Sequence, residues 1–98
     1  MANYDSDQWQ VYVLQCGDES FYTGIAKDVV RRLDQHARGQ GARYTRGRGP
    51  LAIWWRSETM SHGQALALER RIKAMTRAQK VQLRERRQHD ASQSGMED

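Results

Sequence analysis

Apolar and polar positions run with a two-residue period at the start of the chain and shift to a helical period after residue 28. In WQVYVLQC, residues 9–16, Val11 and Val13 point to one face and Tyr12 and Leu14 to the other, which is the alternation of a strand. Both faces are largely apolar, so a central strand is predicted. GDE at 17–19 reads as a turn and SFYTG at 20–24 as the returning strand. A three-residue loop pairs Cys16 with Ser20, Leu14 with Tyr22 and Tyr12 with Gly24. Tyr12 and Tyr22 then become diagonal neighbours on one face, where a two- or four-residue loop would put them on opposite faces.

Asp28 is a good N-cap for a helix over about 29–38, with Gly39 placed to end it. Val30, Leu33 and Ala37 form its expected buried stripe, and Arg32 and His36, spaced i,i+4, lie at one edge of that stripe. GQGARYTRGRGP at 39–50 is a loop, and LAIWWRS at 51–57 is the third strand. Ser61 and Gln64 make a capping box that opens a helix to about residue 74. Its stripe is Ala65, Leu68, Ile72 and Met75, with Glu69 at the margin. Thr76 and Gln79 make a second box for a last helix to about residue 87. The predicted fold is α/β: a small three-stranded, mainly antiparallel sheet flanked by helices, in the order β-β-α-β-α-α. One domain spans 9–87, between a flexible stretch at 1–8 and a disordered polar tail at 88–98.

Composition narrows the function classes. With 98 residues and 38% hydrophobic content, the chain supports one modest core. No apolar run approaches the ~20 residues of a membrane span, and MANYDSDQWQ has neither the basic nor the apolar region of a signal peptide. The expected location is the cytoplasm. Cys16 stands alone, so neither an internal disulfide nor a cysteine zinc cluster is expected. Net charge is +4, but the cations are concentrated. Lys27, Arg31, Arg32, Arg38, Arg43, Arg46, Arg48 and Arg56 face only Asp28 and Asp34 between residues 27 and 56. Most cations of the chain are arginines, whose planar fork grips phosphate in two places. Lys27, Arg38, Arg43, Tyr44, Arg46, Arg48 and Lys73 are candidate contacts to nucleic acid. In the loop, glycine allows backbone N–H groups to approach phosphate, and Tyr44 offers a ring on which a base can stack.

No phosphate-binding loop, zinc spacing or HExxH motif occurs. His62, in the first turn of its helix, and His89, in the tail, are assigned no role. Glu69 has two readings. An i,i+4 ion pair with Lys73 satisfies it; alternatively, one carboxylate can hold a Mg²⁺ that is otherwise coordinated by water and phosphate oxygens.

The combined order of these residues resembles the GIY-YIG nuclease superfamily. VYV at 11–13 stands where GIY stands, YTG at 22–24 where YIG stands, and the gap between them is the family's. Arg32 falls at the family's arginine, His36 four residues later where members carry histidine or tyrosine, and Glu69, in ALALERRIK, at the metal-binding glutamate. GARYTRGRGPL is similar to the same stretch of the small stand-alone bacterial members. The first motif keeps only its tyrosine. Where some members carry a lysine soon after YIG, this chain has Ile25, with Lys27 two residues on. The resemblance implies an endonuclease that hydrolyses phosphodiester bonds in DNA, with RNA left open, and structure-selective cutting in DNA repair or processing. It implies one Mg²⁺ or Mn²⁺ on Glu69, and Arg32 on the phosphoryl oxygens. Of the two tyrosines, Tyr12 by preference takes a proton from the attacking water, with Tyr22 and His36 orienting water and phosphate. A free phenol has a pKa near ~10, so a neighbouring cation must favour the phenolate; Arg32, His36 or the metal could do so. The rival readings are a catalytically silent nucleic-acid-binding module of the same fold and, more weakly, a protein adaptor.

Overall fold

A computed structural model of the chain describes residues 7–85. Strands β1 (Gln10–Gln15), β2 (Phe21–Ala26) and β3 (Ala52–Arg56) form one antiparallel sheet in the order β2-β1-β3. Three helices flank it: α1 (Val29–Ala37), α2 (His62–Lys73) and α3, residues 77–85. The element order is the expected one. The expected end of the last helix near 87, the tail at 88–98 with His89, and most of the stretch at 1–8 lie outside the described residues.

The central strand divides the apolar interior in two. Val11 and Val13 pack with Ala65 and Ile72 of α2 on one face, while Tyr12 and Leu14 pack with Ala26 and Val29 on the other, the face covered by α1. The β1–β2 register pairs Tyr12 with Gly24 and Leu14 with Tyr22. It follows from the three-residue loop: Glu19 N–H donates to the Cys16 carbonyl, Cys16 N–H donates to the Ser20 carbonyl, and Glu19 takes φ +70°, the left-handed residue that closes such a turn. Asp18 accepts from both the backbone N–H and the hydroxyl of Ser20. The β1–β3 pairing is less regular. A bulge shifts the register between Val13 and Leu14, so that Trp54 and Trp55 both pack against the Val11–Val13 cluster.

Helix starts follow the sequence. Asp28 accepts from Arg31 N–H, and the Ser61–Gln64 box is complete in both directions. Thr76 and Gln79 exchange the same two bonds. Each such cap contributes roughly 1 kcal/mol. The buried face of α1 differs from the expected stripe. Val30 is 61% exposed and Ala37 is exposed; Val29, Leu33 and His36 face inward instead. Leu33 is common to both stripes and the two positions flanking it each step back by one residue, because a histidine that finds hydrogen-bond partners can occupy a core position. His36 is therefore not an edge residue: it is 2% exposed.

Candidate nuclease site

The α1 face of the hairpin carries a compact polar group inside an apolar wall. Tyr12, 2% exposed, has its hydroxyl oxygen 2.9 Å from Nε2 of His36. The Tyr12 and Tyr22 rings lie 6.3 Å apart, and Tyr22 meets His36 edge-on at 5.2 Å. Gly24, the cross-strand partner of Tyr12, makes room for this ring: a Cβ there would stand 2.6 Å from the Tyr12 hydroxyl. Residue 24 thus has to lack a side chain for the phenol to lie across the hairpin.

Two charged residues act on the phenol. Arg32 is exposed, with no carboxylate partner among the described residues, and favours the phenolate; Glu69 disfavours it. Burial is the largest effect, followed by Tyr22, and together they hold Tyr12 protonated, far above the ordinary tyrosine range. Of the cations expected to draw the phenol down, Arg32 does act in that sense, but it is outweighed. His36 supplies no positive charge: burial first, and Arg32 second, push its pKa down, leaving the imidazole neutral at pH 7. Glu69 comes from the opposite layer, on α2. Its side chain is 16% exposed and pairs with Lys73 at 3.3 Å, as the i,i+4 reading expected.

The glycine–arginine loop is more ordered than its composition suggests. Residues 43–45 form a single 3-10 turn. Tyr44 is 41% exposed, but one face stacks on Tyr22, with centroids 6.0 Å apart, and the Arg48 guanidinium covers the ring at 4.2 Å. Base stacking on Tyr44 therefore requires Arg48 to move. Arg48 is also held by Asp18 at 2.5 Å. Among the other candidate contacts, Arg38 pairs with Asp34 at 3.0 Å and Lys27 lies 5.5 Å over the Trp9 ring. An exposed pair such as Arg38–Asp34 is worth at most about 1 kcal/mol, so phosphate can compete for the arginine. Arg43 and Arg46 are exposed and have no carboxylate partner among the described residues. Arg46, His36, Thr45 and Leu51 line a cleft between α1 and this loop.

Sequence reasoning missed how the loop reaches the site. Ala42 N–H and the Thr45 hydroxyl both lie 3.1 Å from Nδ1 of His36. Gly41 packs against the same ring so closely that a Cβ there would overlap Nδ1. The glycine at 41 was the available signal, masked by the general flexibility of a glycine-rich stretch.

Among the described residues no group of three or more His, Cys, Asp or Glu side chains is placed to hold a metal. That donor set does not fit a metal enclosed by protein ligands. It fits a hard cation bound through a single carboxylate, Glu69, and otherwise through water and substrate oxygens. No helix among the described residues is long and apolar enough to cross a membrane.

Comparison with known proteins identifies the family. The model of the GIY-YIG catalytic domain matches residues 8–82. A UPF0213 protein of Cronobacter sakazakii is 44% identical over 79% of this chain and 81% of its own. A putative GIY-YIG domain-containing protein, 242L, of invertebrate iridescent virus 6 is 39% identical over 81% of each chain. The solution structure of protein EF2693 from E. faecalis is 37% identical, covers 76% of this chain and 79% of its own, and superposes with a TM-score of 0.53. The match spans the hairpin, α1, the arginine loop and α2, and on it the chain belongs to the GIY-YIG family, whose catalytic domain supports a nuclease-type function.

Proposed function

We propose that this protein is a divalent-metal-dependent endonuclease acting on DNA. The observation that carries the reading is the buried Tyr12–His36 hydrogen bond set beside the exposed guanidinium of Arg32. A buried phenol held by an imidazole is costly for a packing residue and useful for moving a proton. Glu69 would hold Mg²⁺ or Mn²⁺, which when bound neutralises charge on the scissile phosphate and favours departure of the 3′-oxygen. Arg32 binds the phosphoryl oxygens, whose charge grows toward the transition state. Its charge also favours the Tyr12 phenolate, the form able to take a proton from water. Tyr22 and His36 fix the phenol between them. The candidate contacts are mostly arginines suited to phosphate, so backbone shape and charge govern binding more than base readout; structure-selective cutting in repair or processing is the role this suits. The test is cleavage of end-labelled linear, nicked, flapped and branched DNA, and of RNA, with Mg²⁺, Mn²⁺ or EDTA. Cutting with either metal and none with EDTA is expected. DNA binding without cutting under every condition would favour the silent binding module, to which the Glu69–Lys73 pair is equally suited.

Binding makes a separate prediction. Arg43 and Arg46 are both exposed and Arg46 lines the cleft, so Arg43→Ala with Arg46→Ala is expected to remove two phosphate contacts. The slope of log K against log salt for duplex DNA should flatten by ~1.8, about 0.9 per contact. Fluorescence anisotropy at several salt concentrations reads it, and an unchanged slope would place the loop away from the interface.

A further inference from the structure

The hydrogen bonds around His36 determine which of its nitrogens carries the proton. A backbone amide can only donate, and Ala42 N–H points at Nδ1 from 3.1 Å. Nδ1 must therefore offer its lone pair, and in a neutral imidazole the proton then sits on Nε2. Nε2 is the atom 2.9 Å from the Tyr12 oxygen, so His36 donates to the phenol and does not accept from it. What holds Ala42 in place is Thr45, itself 2% exposed. Its hydroxyl donates to the Ala42 carbonyl at 2.9 Å, and its N–H donates to the same oxygen at 3.2 Å. The single in-plane lone pair of Nδ1 already receives the Ala42 N–H, which leaves the Thr45 proton for the carbonyl.

We infer that Thr45, acting through the Ala42 peptide, is a positioning residue that fixes His36 as a hydrogen-bond donor to Tyr12. The inference rests on the nuclease reading for its catalytic consequence but not for its geometry. Donation from Nε2–H favours the phenolate over the phenol and leaves the Tyr12 proton free to be directed away from the imidazole. It also ties the arginine loop to the reacting group. Arg43, Tyr44 and Arg46 sit within one turn of Ala42 and Thr45, so a shift of the loop on nucleic acid alters the bond that fixes the histidine.

Two variants and two readouts test this. Thr45→Val keeps the shape and removes the hydroxyl; Thr45→Ser keeps the hydroxyl. Long-range ¹H–¹⁵N spectra of the free chain at neutral pH should show His36 with an acceptor-type Nδ1 and a protonated Nε2. In Thr45→Val the His36 signals should move toward a mixture of tautomers, and the cleavage rate should fall roughly tenfold, the loss of about one hydrogen bond, with DNA affinity unchanged. Thr45→Ser should restore both. A wild-type His36 protonated on Nδ1 would overturn the assignment whatever the activity. So would a Thr45→Val chain that is folded and keeps the wild-type tautomer. If no substrate is cut, the nuclease reading fails while the spectra still decide the positioning role.

Discussion

Tyr12→Phe should slow DNA cleavage by ~10²–10⁴-fold, the usual contribution of a positioned general base, and leave a folded domain. The ring is retained, and its apolar contacts with Leu14, Ala26 and Val29 do not depend on the hydroxyl. What is lost is the bond to His36, leaving the Nε2–H of a buried ring without its partner. That costs about 1–3 kcal/mol, a measurable drop in denaturant midpoint with an unchanged m-value. The wild-type rate should also climb with pH. Burial and Tyr22 hold the phenol protonated, so the fraction of phenolate grows as pH rises through the neutral and alkaline range. A flat profile, or a Phe variant that cuts at the wild-type rate, would make Tyr12 a packing residue. Tyr22→Phe provides the comparison. Tyr22 is only partly buried and meets His36 with its ring, so its variant should lose less.

The parts of this fold that were legible in the sequence are those fixed by neighbours in the chain. The Tyr12–Gly24 register follows from a loop of three residues and a period of two, which is local arithmetic. The same holds for the Asp28 cap and for the Ser61 and Thr76 boxes, where a side chain bonds an amide two or three residues on. Helix α1 shows where such reasoning stops. Hydropathy counts histidine as polar, so the pattern predicts a stripe through Val30 and Ala37. The true stripe, Val29–Leu33–His36, includes a polar ring whose partners come from residues 12, 42 and 45. No pattern within the helix announces partners supplied by another strand and a loop.

Other features were illegible for the same reason. In a regular strand Trp54 and Trp55 point to opposite faces; the bulge that brings both to one face depends on the partner strand. Composition reveals the charge of the 39–50 loop but not its fold: it makes Arg48 a candidate phosphate contact, whereas Asp18 and Tyr44 both hold it. The roles given to Tyr12, Tyr22, Arg32, His36 and Glu69 came from the order of residues shared with a family. The contacts add something that this order does not contain, namely that the tyrosine face and the basic loop meet at one imidazole.

Glu69→Gln should abolish metal-dependent cleavage while leaving DNA affinity as it was. A bound cation supplies several kcal/mol of charge stabilisation at the phosphate, so its loss corresponds to roughly 10³-fold or more in rate. Binding rests instead on the wider arginine footprint. Stability should change little, since the Lys73 side of the pair is 54% exposed and such a pair is worth at most about 1 kcal/mol. Lys73→Met separates the two readings of the glutamate, because it removes the ion pair and keeps the carboxylate. At saturating DNA, where a lost Lys73 phosphate contact no longer limits the rate, near wild-type cutting is expected from Lys73→Met; a loss as large as that of Glu69→Gln would mean that the pair, and not a metal, is what the residue serves. Glu69 raises the pKa of Tyr12, so neutralising it makes the phenol easier to ionise, which would speed proton removal from water. A Glu69→Gln chain that is folded, binds DNA and fails to cut therefore does not owe its failure to the loss of the carboxylate's own charge near Tyr12, whereas one that cuts normally would remove Glu69 from the site.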